Sequence, residues 1–366
     1  MTRPAIAHIR LDAFRHNYRA AKAMHGGKAL AVIKANAYGH GAVQCAKAIE
    51  NEADGFAVAC LEEAIELRKA GIKNPILLLE GFFEAAELPQ IVEHDLWLVV
   101  HAQWQIDMLL QAELAKPVQV WLKMDTGMHR VGLAPSEYAQ AFMRICQHQH
   151  VEKVVLMTHF ANADNLNAKH TAEQVEIFKN TVAGLNSKAY RAEYSLANSA
   201  AILGWPIAQA NWSRPGIMLY GANPLMPADS NLRAVMQLTA KIIAIRHIQT
   251  GESIGYGSLF TATRNTIVGV VACGYADGYP RAASNAAPAA VDGQMTKLIG
   301  RVSMDMLFVD LSDICDENGL PSAKVGSTVE LWGDQVSANL VAQAAGTIAY
   351  ELFCNVKRVQ FQYSDS

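Results

Sequence analysis

Short apolar runs alternate with segments of helical periodicity through the first two thirds of this 366-residue chain. The first run, ALAVI at residues 29–33, is typical of a buried strand, and helical patterns follow around residues 42–50 and 61–70. About eight such runs come before residue 215. They lie at residues 29–33, 55–59, 76–79, 96–100, 118–122, 154–157 and 194–196, and just before Arg214. The alternation predicts an α/β fold with an N-terminal (β/α)8 TIM-type barrel.

An open doubly wound sheet is the competing architecture. The nearest dinucleotide-like pattern, Gly39-x-Gly41, lacks a third glycine and an acidic partner at the expected distance, which disfavours that sheet. From about residue 237 the pattern changes to short β-like runs separated by glycine-rich turns such as GYGS and GYADGYP. We therefore predict two domains, a barrel over residues 1–230 and a mostly β C-terminal domain over residues 231–366.

Charge and cysteine content narrow the class of ligand. The formal net charge is −3 and basic residues form no run, so neither nucleic acid nor an anionic membrane surface is an expected partner, and a small-molecule substrate is favoured. Charged residues interrupt every apolar stretch, which favours a cytoplasmic protein. Six cysteines without a C-x-x-C pair suit reduced thiols packed as small apolar residues and indicate no structural metal.

A single lysine ends the first apolar run, in AVIKANAYGHG. We expect Lys34 at the C-terminal tip of the first barrel strand, where active sites of such barrels lie. Residues 197–200 (ANSA) follow the seventh strand and residues 214–217 (RPGI) follow the eighth, and their N–H groups and hydroxyl could hold an anion. A solvated lysine, a helix cap and an ordinary turn are the plain alternatives. Together the three segments suggest a cofactor with both an aldehyde and a phosphate, namely pyridoxal 5'-phosphate.

At these residues the chain resembles alanine racemases, pyridoxal-phosphate enzymes with a barrel and a C-terminal β domain. The similarity covers nearly the whole length. It is carried in order by AVIKANAYGHG, KMDTGMHRVG (123–132), THFANAD (158–164), NSA (198–200), RPGIMLYG (214–221), GYGS (255–258), GYADGYPR (274–281), GRVSMDM (300–306) and TIAYEL (347–352).

The resemblance implies a role for each matching residue. Lys34 would bind the cofactor aldehyde as a Schiff base, Arg214 would face the pyridine nitrogen, and His159 would lie beside the ring. Arg130 would orient the substrate and a cofactor oxygen, and Met304 would contact the substrate carboxylate through its backbone. The phosphate would be held by Tyr38, Ser199, Gly216, Ile217 and Tyr350.

Inverting an α-carbon requires acid/base groups on both faces of the cofactor. Lys34 would serve one face, and the resemblance assigns the other to Tyr256 of a partner subunit, which makes a homodimer the catalytic unit. Hydrogen bonds from Tyr256 to His159 and on to Arg214 would help the tyrosine to ionise. The resemblance also suggests that Lys123 carries a carbamate that holds Arg130, and an unmodified lysine is the alternative.

Three other readings stay open at this stage. One is a barrel-type decarboxylase of basic amino acids, which would be expected to place an acidic residue, not Arg214, at the ring nitrogen. Another is a racemase of a different amino acid, such as serine. A non-catalytic pyridoxal-phosphate carrier would need neither the β domain nor Tyr256. By analogy, the enzyme would supply or consume D-alanine in bacterial cell-wall metabolism, and the residues do not choose between the two directions.

Overall fold

The computed structural model describes residues 3–185, 191–225 and 231–365, and within them eight parallel strands close into a barrel. After an N-terminal strand β1 (Ile6–Arg10), the barrel strands are β2 (Lys28–Val32), β3 (Gly55–Val58), β4 (Ile76–Leu78), β5 (Leu96–Val100), β6 (Val118–Lys123), β7 (Val151–Met157), β8 (Glu193–Asn198) and β9 (Trp212–Arg214). The last strand pairs with the first through Lys28 with Trp212 and Ala29 with Ser213. The predicted TIM-type barrel is confirmed.

Helices follow the strands around the barrel. They are α1 (Leu11–His25), α2 (Lys34–Gly39), α3 (Ala42–Ile49), α4 (Leu61–Lys69), α5 (Leu88–Glu93), α6 (Gln103–Gln111), α7 (Pro135–Ile145), α8 (His170–Val182) and α9 (Ser199–Gly204). The longest, α1, buries Phe14, Tyr18 and Ala21 at the spacing of one helical face. In the part of the chain that the structure describes, no helix has both the length and the apolar character needed to cross a bilayer.

Three tryptophans fill part of the barrel interior. Trp212 on β9 contacts Trp97 on β5 and Trp121 on β6, with ring centroids 5.7 and 5.5 Å apart. Because β9 neighbours neither of those strands, these contacts cross the barrel. The indole N–H of Trp212 donates to the partly exposed Glu193 at 2.6 Å, so the polar group of this buried ring is paired.

A second, mostly β part follows the barrel in the chain, as predicted. Its strands are β10 (Met236–Ile248), β11 (Ser253–Ile254), β12 (Phe260–Thr261), β13 (Thr266–Val271), β14 (Pro288–Val291), β15 (Gln294–Lys297), β16 (Leu307–Asp310), β17 (Thr328–Trp332) and β18 (Gln360–Ser364). Two helices, α10 (Ala338–Ala344) and α11 (Ala349–Asn355), precede the last strand. The long strand β10 pairs with β1, β13 and β17, which makes it the centre of the main sheet.

The N-terminal strand β1 belongs to this second sheet. It lies between β10, to which it is antiparallel, and β18, to which it is parallel. Its residues alternate between buried and half-buried positions, as expected for a paired strand. The chain therefore forms one strand of the β-rich sheet before it forms the first strand of the barrel. The division between residues 230 and 231 stays a prediction, and residues 226–230 beside it lie outside the described part of the chain.

The six cysteines, all of which are described, are free thiols. Cys45 and Cys273 are buried in the core as predicted. Cys354 on α11 is exposed, so the prediction that the cysteines pack as small apolar residues does not extend to it.

We predict that Gly81→Ala destabilises the barrel more than Gly71→Ala does. Both glycines have positive φ, +75° and +91°, which costs an alanine about 1 kcal/mol. A Cβ at Gly81 would also lie 2.1 Å from the Val99 carbonyl oxygen of β5, whereas a Cβ at Gly71 meets no atom within 4 Å. Urea unfolding should therefore show a loss of about 2 to 4 kcal/mol for Gly81→Ala. Equal losses in the two variants would contradict the close approach.

Candidate active site

A cavity of about 560 Å³ opens at the carboxyl ends of the barrel strands. Ten of the residues predicted for the site line it: Lys34, Tyr38, Lys123, Arg130, His159, Ser199, Arg214, Gly216, Ile217 and Tyr350. They come from five of the barrel strand ends and from α11 of the β-rich part. Segments more than 300 residues apart in sequence therefore meet at one site.

Lys34 lies just beyond the carboxyl end of its barrel strand, as predicted, and a left-handed turn follows it. Strand β2 ends at Val32, and Ala35, Asn36, Ala37 and Tyr38 all have φ between +50° and +53°. This conformation costs an L-residue roughly 1–2 kcal/mol and is rarely adopted by consecutive residues. The surrounding structure must therefore stabilise the turn, and such backbone strain clusters at functional sites.

Buried aromatic rings hold the end of this turn. The Tyr38 ring lies 4.7 Å from that of Tyr220 and 5.7 Å from that of Tyr350, measured between centroids. His40 is fully buried, and its Nδ1 lies 3.0 Å from the carbonyl oxygens of Ala37 and Tyr38. Burial lowers the pKa of His40 to about 4, so the ring is neutral and donates from Nδ1 to these carbonyls.

A second group of residues forms a polar wall beside this turn, because β9, which it follows, is paired with β2. The Ser199 hydroxyl accepts hydrogen bonds from the N–H groups of Gly216 at 2.8 Å and Met218 at 3.3 Å. A Cβ at Gly216 would lie 2.8 Å from the Tyr38 hydroxyl, so only glycine leaves this space open. Burial raises the pKa of Tyr38 and raises that of Tyr350 to about 12, which keeps both hydroxyls protonated as donors. The hydroxyl donors of Ser199, Tyr38 and Tyr350 together suit an anionic group such as a phosphate.

Arg214 is a buried cation at the end of β9, with 4% of its surface exposed. Its Nη2 donates to the carbonyl oxygens of Thr158 at 2.6 Å and Leu196 at 3.3 Å, and Nη1 donates to the Ser195 hydroxyl. Burial lowers its pKa to about 10, which still leaves it charged at neutral pH. The structure thus places a fixed, oriented positive charge in the cavity wall.

His159 is held neutral beside this charge. Its Nδ1 lies 3.4 Å from Nη2 of Arg214. Burial, followed by the charge of Arg214, places the pKa of His159 well below its ordinary value. Since the guanidinium can only donate, the Nδ1 atom accepts, and any remaining ring proton sits on Nε2. The predicted link between His159 and Arg214 is present in the structure.

Lys123 ends strand β6 and is buried, with 7% of its surface exposed. Burial and then the charges of Arg214 and Arg130 lower its pKa to about 7. An ordinary lysine is almost wholly protonated at neutral pH, whereas roughly half of Lys123 would be neutral there. A neutral amine is a nucleophile, so this position is chemically distinct from a surface lysine.

Asp125 shapes the loop that carries Arg130. Its Oδ1 accepts from the N–H groups of Gly127, Met128 and His129 at 2.9, 3.0 and 3.1 Å. Although burial opposes it, this bonding keeps the pKa of Asp125 below its ordinary value. The sequence analysis did not single out Asp125, although an aspartate two residues before a glycine is a turn signal.

Other cavity residues were also missed by the sequence analysis. Glu80 and His101 come just after β4 and β5, at the same rim of the barrel as Lys34. The rule that singled out Lys34, a polar residue just after a barrel strand, would have found both. Phe83, Trp104 and Val131 add apolar surface that no local pattern indicates.

Tyr256 and Met304 do not line the cavity of their own chain. Both lie in the β-rich part, where 72% and 54% of their surfaces are exposed. The predicted hydrogen bond from Tyr256 to His159 would join two subunits, so it also stays a prediction. A contribution of these two residues to the site of a second subunit stays a prediction.

Comparisons with known proteins agree over the whole length. The family model described as alanine racemase, N-terminal domain, matches residues 9–224, and the model for the C-terminal domain matches residues 235–363. The chain is 56% identical over 364 residues to the alanine racemase of Pseudomonas taetrolens and to the catabolic alanine racemase of Pseudomonas putida, with 99% of each chain covered.

Solved structures give the same result. The biosynthetic alanine racemase from Pseudomonas aeruginosa matches with a TM-score of 0.93 and 46% identity, over 99% of this chain and 100% of that one. The alanine racemase from Bartonella henselae with covalently bound pyridoxal phosphate matches with a TM-score of 0.88 and 30% identity, over 99% of both chains. Matches of this extent over both parts of the chain show that it belongs to the alanine racemase family.

Proposed function

We propose that this protein is a pyridoxal 5'-phosphate-dependent isomerase that interconverts L-alanine and D-alanine and acts as a homodimer with shared sites. The observation that carries the proposal is the meeting of Lys34, Ser199 and Arg214 in one cavity at the rim of the barrel. An amine, an anion-binding hydroxyl and a fixed cation at one site match a cofactor with an aldehyde, a phosphate and a basic ring nitrogen. Membership of the alanine racemase family supports the choice of reaction.

The residues in the cavity fit this cofactor. Lys34 would hold its aldehyde carbon, and Arg214 would face the ring nitrogen. The phosphate would lie in the polar wall, among the residues Tyr38, Ser199, Gly216, Ile217 and Tyr350. When bound, the cofactor makes the α-proton of an amino acid acidic by conjugating the α-carbon with its ring.

Two groups of this protein would then move the proton. The Lys34 amine would remove or return it on one face, and Tyr256 of a second subunit would do so on the other. Arg130 would bind and orient the substrate carboxylate together with the Met304 backbone of that second subunit. The exposure of Tyr256 and Met304 in a single chain is consistent with residues that complete a neighbouring site.

Arg214 would favour inversion over transamination. A guanidinium that stays charged beside the ring nitrogen disfavours protonation of that nitrogen. Negative charge developed at the α-carbon is then less delocalised, which favours prompt return of a proton to the same carbon. An acidic residue in this position, as expected for the decarboxylase alternative, would have the opposite effect.

We predict that the enzyme converts L-alanine to D-alanine and that Lys34→Ala abolishes the conversion in both directions. The amine both anchors the cofactor and handles protons, so the loss should be on the order of a thousandfold or more. Lys47→Ala removes an exposed lysine on α3 and should keep full activity. Chiral chromatography measures both enantiomers. An amine and carbon dioxide as products would indicate the decarboxylase, and no product would indicate the carrier.

Covalent labelling locates the anchoring lysine directly. Borohydride treatment of the cofactor-loaded protein should leave a pyridoxyl group on Lys34, because only a carbon–nitrogen double bond is reduced to a stable link. Peptide mass spectrometry identifies the labelled residue. Label on any other lysine would refute the assignment of Lys34.

We predict that Lys123 carries a carbamate. Only a neutral amine attacks carbon dioxide, and the pKa of Lys123, lowered to about 7, makes that form abundant. Arg130 and Arg214 would stabilise the resulting anion. With dissolved carbon dioxide held constant, the occupancy should rise as pH increases from about 6 to about 8, because the neutral fraction grows through the pKa.

Carbon-13 NMR after addition of labelled bicarbonate measures this occupancy. The carbamate signal should be absent from Lys123→Met, which keeps most of the side-chain volume, and present in Lys47→Ala. A signal that persists in Lys123→Met would assign the modification to another lysine. No signal in the native protein would leave Lys123 as an unmodified amine.

We predict that Tyr256→Phe separates the two directions of proton transfer. The family resemblance pairs Tyr256 with L-alanine, so in deuterium oxide the variant should exchange the α-proton of D-alanine, through Lys34, far faster than that of L-alanine. A difference on the order of a hundredfold or more is expected for loss of a positioned base. Proton NMR follows both exchanges, and equal rates would contradict the two-base assignment.

Mixed dimers test whether the site is shared. Lys34→Ala and Tyr256→Phe subunits, each inactive alone, should regain activity when exchanged, because one of the two sites in the heterodimer holds both residues. A mixture of two Lys34→Ala preparations serves as the control. Verified subunit exchange without recovered activity would contradict the shared site.

A further inference from the structure

Glu63 on α4 connects two backbone segments at the rim of the barrel. Its Oε1 accepts a hydrogen bond from the Ala35 N–H at 2.6 Å, and its Oε2 accepts one from the Ala59 N–H at 2.7 Å. Ala35 directly follows Lys34, and Ala59 directly follows strand β3. Glu63 is half-buried and turned toward the rim, whereas Glu62 and Glu66 on the same helix are exposed.

Ordinary helix capping explains only one of these bonds. Glu63 is the third residue of α4, a position from which glutamate commonly reaches back to an N–H just before the helix. The bond to Ala59 is of this kind. The bond to Ala35 is not, because Ala35 belongs to a different segment, 28 residues earlier in the chain.

The Ala35 bond lies where the backbone needs support. Ala35 is the first of the four consecutive left-handed residues, and the first N–H groups of a helical segment lack partners within the segment. The next part of the turn is held internally, by the Ala37 N–H donating to the Ile33 carbonyl at 2.8 Å. Glu63 thus holds the entrance of the turn, beside Lys34, against the neighbouring barrel strand.

We propose that Glu63 is a positioning residue for Lys34. Its carboxylate fixes the backbone on the C-terminal side of Lys34 to the end of β3, and so fixes the direction from which the amine enters the cavity. Among the described residues, Glu63 is not part of the cavity wall, so it acts through the backbone and not on the substrate. The proposal rests on the proposed function, in which Lys34 anchors the cofactor and moves a proton.

Two variants distinguish bridging from charge. Glu63→Gln keeps the length of the side chain but offers one acceptor oxygen, so an amide NH2 faces one of the two N–H groups. Glu63→Asp keeps the charge but is one methylene shorter and cannot span both groups. If both hydrogen bonds are needed, both variants have a lower kcat and faster amide exchange at Ala35. If only the negative charge is needed, Glu63→Asp keeps the native kcat and exchange rate. Glu66→Gln, at an exposed position of the same helix, is the matched control.

The test measures steady-state kinetics and amide hydrogen exchange of the cofactor-loaded enzyme. Both Glu63 variants should lower kcat for alanine about tenfold, with KM within about twofold, because positioning affects the chemical step more than binding. Amide exchange at Ala35 should accelerate about tenfold or more, while the amides within β3 keep their native rates. Glu66→Gln should match the native enzyme in every measurement.

Three outcomes would overturn the proposal. A native rate of amide exchange at Ala35 in Glu63→Gln would show that Glu63 does not fix this backbone. A native kcat in both Glu63 variants would show that the hydrogen bonds of Glu63 do not affect catalysis. Faster exchange throughout β3 would show that Glu63 stabilises the barrel generally. Failure of the proposed function is distinct from all three. It would appear as a native enzyme that makes no D-alanine, and the exchange at Ala35 would still decide whether Glu63 fixes the backbone beside Lys34.

Discussion

Closure of the parallel barrel is the constraint on which the site depends. Parallel pairing requires every barrel strand to run in the same direction, so all carboxyl ends meet at one rim. Lys34, Lys123, His159, Ser199 and Arg214 each follow or end a different strand, and the closed sheet brings them into one cavity. Three tryptophans that pack across the barrel interior form part of the core that supports the strands.

Within that rim, burial and the charge of Arg214 together lower the pKa of two neighbouring nitrogen groups. Its guanidinium is held by carbonyl and hydroxyl oxygens and not by a carboxylate, so its positive charge is not neutralised locally. Together with burial, this charge keeps His159 neutral and helps to lower the pKa of Lys123 to about 7. The cavity therefore combines two guanidinium groups, Arg214 and Arg130, which can bind anions, with a neutral imidazole and an amine of lowered pKa.

The β-rich part contributes one residue, Tyr350, to the cavity of its own chain. Tyr350 lies on α11 and packs its ring near that of Tyr38. Tyr256 and Met304, on the other hand, are exposed on the same part of the chain. Strand β1 lies between β10 and β18, so the chain passes through the β-rich sheet before it forms the barrel. This pairing ties the two ends of the chain to one sheet.

The sequence by itself determined the class of fold and ten of the residues that line the cavity. Apolar runs bounded by turn residues identify the barrel strands, because strands with both faces buried are apolar throughout. The motifs around Lys34, Ser199 and Arg214 could then be assigned to the ends of particular strands by counting the runs along the chain. The tertiary structure alone decided three features: the left-handed turn after Lys34, the inward direction of Glu63, and the place of β1 in the second sheet. Each depends on contacts between segments far apart in sequence. Local propensity disfavours four consecutive left-handed residues, and it does not specify the partner of a short strand. The lowered pKa of Lys123 belongs with them, because it arises from burial and from cations on other segments that only folding brings together.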